Sequence, residues 1–99
     1  MTDRVFTDEE QQALDEGEAA RHLLTSPLFL TAIEKVRKDC AEVILTSDPA
    51  ASLIRESAYH LSRGLSAVTV ELDALAARAE AILAQAETHT LEVHPDADD

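Results

Sequence analysis

The sequence predicts an all-α fold: a long antiparallel helical hairpin, coiled-coil-like and homo-oligomeric, with its N-terminal arm broken or kinked at Pro27. Three observations predict it. Eleven small or aliphatic residues, Ala51, Ile54, Ala58, Leu61, Leu65, Val68, Leu72, Leu75, Ala79, Ile82 and Ala86, follow one another in alternating steps of three and four. A 3.5-residue average is the seam of a helix packed lengthwise on another helix. Phe29, Ile33, Val36, Cys40 and Val43 repeat that spacing ahead of a turn at Thr46-Ser47-Asp48-Pro49. Finally, the only aromatic residues are Phe6, Phe29 and Tyr59, and alanine and leucine carry most of the apolar content. That composition suits thin helix–helix seams, not a β-sandwich or a thick globular core.

Residues 1–6 are expected to be disordered. The first helix opens at Thr7, where Thr7-Asp8-Glu9-Glu10 fits a capping box. Three acids in the first turn also suit the positive end of the helix dipole. Ala13, Gly17, Ala20 and Leu24 form a weak apolar stripe, and Gly17 costs about 1 kcal/mol against Ala, so this helix is expected to be the least secure. Thr25-Ser26-Pro27 then punctuates the chain. Ser26 as N-cap with Pro27 at the first helical position restarts the helix, and a kink in one continuous helix is the alternative.

Ser47 or Asp48 is expected to cap the last helix, with Pro49 starting it. That helix should run to about Glu87, roughly 57 Å at 1.5 Å per residue. Residues 7–87 thus form one oligomerisation domain, with its turn at 46–49. Its seam residues are Ile33, Val36, Val43, Ile54, Leu61, Leu65, Val68, Leu72, Leu75 and Ile82. A two-helix hairpin buries little surface, and without disulfides or metal the usual remedy is self-association. A second stripe, Ser57, His60, Gly64, Ala67, Ala74 and Ala81, is mostly small, so His60, Gly64, Ala67 and Ala74 are read as an intersubunit face, with a lightly packed helix surface as the alternative. Gly64 in mid-helix costs stability and asks for a reason. Residues 88–99 form an acidic tail. Thr88 to Pro95 alternates like a short strand, with simple disorder as the alternative, and Pro95-Asp96-Ala97-Asp98-Asp99 reads as disordered.

Net charge is −12 and unevenly spread. Residues 1–24 carry seven acids against Arg4 and Arg21, and residues 87–99 carry five acids and no base. Between them, eight acids face six bases. Nucleic-acid binding needs the opposite sign, so DNA contact is expected to be at most weak and non-specific. The weak basic patch Lys35, Arg37 and Lys38 reads as a solvated helix face. The N-terminus, Met1-Thr2-Asp3-Arg4 and then acids, does not read as a signal peptide, and no apolar run reaches membrane-spanning length; a cytoplasmic location without membrane contact is expected.

The lone cysteine, Cys40, falls in the apolar register and reads as a small buried hydrophobe. Of His22, His60, His89 and His94, only the last two are close in sequence, and they would make an open two-ligand site. Gly17 and Gly64 both fall inside helices, so no glycine-rich phosphate loop is available. An enzyme is not expected, and no cofactor, metal or catalytic residue is assigned. Leu91 and Val93, flanked by Glu92 and Asp96, read instead as a short docking segment for a basic groove on a protein partner, with strand pairing that closes the oligomer, or no role, as the alternative.

The segment from His22 through Ser26-Pro27-Leu28-Phe29 to Arg37, followed by Ser47-Asp48-Pro49 and an Ala/Leu helix, resembles small acidic helical-hairpin proteins of the packaging gene clusters of tailed phages and gene transfer agents. Among these it is similar to small terminase subunits. The resemblance covers roughly residues 20–85. It implies a ring of helical hairpins whose C-terminal segment engages the large packaging ATPase or another head protein. Many members carry an N-terminal helix-turn-helix domain, which the short acidic segment before Pro27 does not match. The expected function is therefore a non-enzymatic oligomeric adaptor in viral-type DNA packaging or head assembly. The alternatives are an antitoxin-like or regulatory adaptor that binds one partner through an acidic helical surface, and a purely structural coiled-coil subunit.

Overall fold

Three helices account for almost all of the computed structural model, which describes residues 5–93, with side chains described through Thr88. They are α1 (Asp8–Leu24), α2 (Pro27–Thr46) and α3 (Ser52–Val93), and no strand occurs among the described residues. The ends follow local chemistry. Thr7 accepts from the Glu10 amide at 3.0 Å and the Glu10 carboxylate accepts from the Thr7 amide at 3.0 Å, closing the capping box.

The Ser26 backbone is extended, with φ −79° and ψ 119°, and its hydroxyl accepts from the Phe29 amide. Pro27 therefore begins a new helix and does not kink an old one. It occupies the position where a missing N–H costs nothing.

Both shorter helices lie along α3 and run against it. Gly17 lies beside Ala79 and Arg21 pairs with Glu80, while Arg37 bonds to Thr69 and Ser47 to Arg55. Along the arm made by α1 and α2, the partners on α3 step from Ala79 and Glu80 beside α1 to Thr69 beside Arg37 and Arg55 beside Ser47, so the arm as a whole runs against α3. The result is a rod of 76 × 26 × 22 Å. Its radius of gyration is 21.3 Å, against about 13 Å for a compact chain of this length.

Two expected boundaries move. The last helix starts at Ser52, not Pro49, because residues 47–51 form the turn itself. The Asp48 carboxylate accepts from the Ala50 amide at 2.8 Å, and the Asp48 carbonyl accepts from the Ala51 amide at 2.8 Å. Arg55 then folds back: its guanidinium donates to the Ser47 hydroxyl at 3.3 Å, the Asp48 carbonyl at 2.6 Å and the Pro49 carbonyl at 2.9 Å. At the other end, α3 continues through Val93, so residues 88–93 are helical and not a strand. Extending a formed helix adds one hydrogen bond per residue fixed, whereas a lone strand has nothing to pair with.

Candidate protein-interaction site

The helices divide the apolar residues into a covered set and an uncovered set. On α1 the stripe Ala13, Gly17 and Ala20 is buried and Leu24 half-buried, as its spacing predicts. On α2, Phe29, Ile33 and Val36 are half-buried and Cys40 buried. The inner row then passes to Arg37 and Ile44, leaving Val43 37% exposed.

The seam of α3 is half of the expected one. Ala58, Leu65, Leu72, Ala79 and Ala86 do face the shorter helices. The companion row does not hold along its length. Leu75 and Ile82 are half-buried, but Ile54, Leu61 and Val68 are 56%, 53% and 52% exposed, and their places are taken by Arg55, Ser62 and Thr69. The reason is geometric. A straight helix drifts about 20° per heptad against a 3.5 repeat, so it cannot offer the same two rows to its neighbours from end to end. Near the turn, the Arg55 bonds also fix which side of α3 faces inward. Arg37 completes this inner polar row by donating to the Thr69 hydroxyl at 3.4 Å.

The small stripe His60, Gly64, Ala67 and Ala74 is exposed throughout. A methyl group on Gly64 would meet nothing within 4 Å. The His60 ring sits edge-on to Tyr59, 5.7 Å between centroids, and Arg63 covers Tyr59 at 5.9 Å while donating to its hydroxyl at 3.2 Å.

The basic trio does not act as one patch. Lys35 pairs with Asp39 at 3.1 Å, Arg37 turns into the α2–α3 seam, and Lys38 shares its shallow groove with Glu34, Asp39 and Glu42. Acids thus offset the charge of both exposed lysines. His22 and His60 lie on helix surfaces, and no group of three or more metal-binding side chains occurs among the described residues. His89, Leu91, Glu92 and Val93 lie in the last turns of α3, beyond the described side chains. His94 and Asp96 lie outside the described residues.

Sequence reasoning missed two features. One is the Arg55 clamp, for which an arginine just after an Asp-Pro turn was the available signal. The other is a groove of about 360 Å³ between α1 and α3, walled by Leu14, Gly17, Ala76 and Leu83 and rimmed by Arg21 and Glu80. No helix among the described residues is long and apolar enough to cross a membrane. Comparison with models of known protein families, with characterised proteins and with solved structures finds no match to this chain.

Proposed function

We propose that the protein is a non-enzymatic, self-associating helical-hairpin adaptor that works by binding other proteins, in viral-type DNA packaging or head assembly. The observation that carries the adaptor reading is the rod's uncovered aliphatic row, Ile54, Leu61 and Val68, at heptad spacing. Apolar side chains repeated along one helix face are built to meet another helix. The charge pattern supports a protein partner: acids dominate both ends of the chain, and the lysines of α2 sit among carboxylates. The packaging assignment rests on the resemblance of residues 20–85 to small terminase subunits.

In this reading the coiled-coil-like hairpin assembles copies, and the C-terminal segment carrying Leu91, Glu92, Val93 and Asp96 engages the large packaging ATPase or a head protein. A pull-down with a large packaging ATPase as bait tests it. The full chain is retained, and a chain ending at Glu87 stays helical and assembled but is lost. Failure of the full chain to bind removes the packaging assignment. Retention of the shortened chain moves the contact onto the rod. Duplex DNA at physiological salt is bound more weakly than about 10 μM and without sequence preference.

A further inference from the structure

We infer that the face made by Ile54, Leu61 and Val68 of α3 with Val36 and Val43 of α2 receives a second copy of this chain, the two α3 helices crossing antiparallel with Leu61 of each over Gly64 of the other. This deepens the self-association proposed above and rests on it.

The first support is position. The inner row of α3 near the turn is Arg55, Ser62 and Thr69, and that of α2 includes Arg37 and Ile44. Ile54, Leu61 and Val68 each precede an inner residue on α3, and Val36 and Val43 do so on α2. In an antiparallel pair viewed from one end, one helix winds clockwise and the other counterclockwise. Positions one residue before the inner row therefore fall on the same side of the rod. Such flanking positions ordinarily carry Glu or Lys when they face water. Here they are all aliphatic, and Ile54, Leu61 and Val68 are more than half exposed.

Area is the second support. The chain exposes 7617 Å². A compact monomer of its mass, 10.8 kDa, exposes about 5,500 Å². The excess, about 2,100 Å², exceeds the ~800 Å² that each partner contributes to a standard stable interface. A single chain of this shape thus has the surface to give, and Ile54, Leu61 and Val68 form an exposed aliphatic row at heptad spacing on this face.

Meshing fixes the orientation. Along the face of α3, large and small residues alternate in steps of three and four: Ile54, Ser57, Leu61, Gly64, Val68. A parallel copy in register would set large on large and small on small. A reversed copy sets Leu61 against Gly64 and Val68 against Ser57, twice each by symmetry, so these two bulky side chains enter shallow places, while Ile54 lies at the end of the contact opposite Glu71. Gly64 is open in the single chain, where a methyl would touch nothing within 4 Å. A glycine that weakens its own helix and relieves no crowding within its own chain is accounted for by the neighbour that approaches there.

Sedimentation equilibrium on the full-length protein tests the occupant, and cysteine pairing tests the orientation. The wild type has the mass of two chains or a multiple of two. Leu61→Glu has the mass of one, with helical circular dichroism retained because the residue is 53% exposed in the single chain. In a Cys40→Ala background, Ser57→Cys with Val68→Cys gives a covalent dimer on mild oxidation, and neither substitution alone does. Ser57 and its symmetry mate are eleven residues apart along the axis, about 16 Å, beyond disulfide reach. A monomeric wild type would overturn the self-association reading together with this one. An oligomeric wild type whose mass Leu61→Glu leaves unchanged overturns this interface alone. Cross-linking by each single cysteine overturns the antiparallel orientation.

Discussion

The two halves of the rod solve the same packing problem in opposite ways. Where α1 meets α3, the contact is made by Ala13, Gly17, Ala20, Ala76 and Ala79, all buried. Where α2 meets α3, only Cys40 and Ala58 are buried, and the large side chains Ile54, Leu61 and Val68 are left outside. Small residues let two backbones come close enough to exclude water between themselves. Bulky residues hold helices apart and need further helices to cover them. The half built from the weaker helix former is thus the better sealed. Gly17, read by local propensity as a liability, is where the close approach happens: a methyl there would collide with the Ala79 methyl carbon and lie 2.8 Å from the Leu75 carbonyl oxygen.

The largest effect is expected at Leu72, in the covered row of α3 between the two halves. Leu72→Asp places a charge without a partner in an apolar seam, at a cost of several kcal/mol. Thermal unfolding should show loss of helicity in both halves at once. Retained helicity would mean that the halves do not share this row.

The two glycines give the sharpest contrast. Gly17→Ala gains propensity but must push aside a methyl group and a backbone oxygen, so the net is a loss of about 1–2 kcal/mol. The midpoint should fall by roughly 4–16 °C. Gly64→Ala, measured in a Leu61→Glu background, meets open space and should gain up to about 1 kcal/mol of helix stability. Equal signs for the two would abolish the distinction between a covered and an uncovered half.

A smaller loss, about 1 kcal/mol, is expected for Ser26→Ala, which removes the cap that separates the halves. Differential hydrogen exchange should place it in the first turn of α2. The smallest is Arg21→Ala. Its pair with Glu80 is more than half exposed on both sides, and such pairs contribute about 0–1 kcal/mol. A larger loss would show that the ion pair, and not the alanine contact, holds α1 down.

Much of this was legible. The Thr7 cap, the Ser26-Pro27 restart, the α1 stripe and the rows through Cys40, Leu65 and Leu72 follow from spacing and capping chemistry. Ile54, Leu61 and Val68 were legible as a seam but not as an uncovered one. A heptad pattern says that a helix wants a neighbour on that side, not whether the neighbour belongs to the same chain. The basic trio failed for a related reason. Lys35, Arg37 and Lys38 are adjacent in sequence, but a helix turns 100° per residue and sends Arg37 toward Thr69, away from the two lysines.

The sequence by itself determined the helices, most of their caps and the antiparallel sense of the rod, because these depend on contacts within one or two turns and on the shortness of the 47–51 turn. Three further matters lay beyond the local pattern, two of them decided by tertiary structure. Arg55 folded onto the turn carbonyls and so chose which side of α3 faces inward. Gly17 became a contact point once Ala79 was opposite it. The end of α3 stayed helical through Val93, where alternation suggested a strand. The first two depend on what lies across from a residue, and local periodicity carries no information about that; the third follows from propagation of a formed helix along the chain.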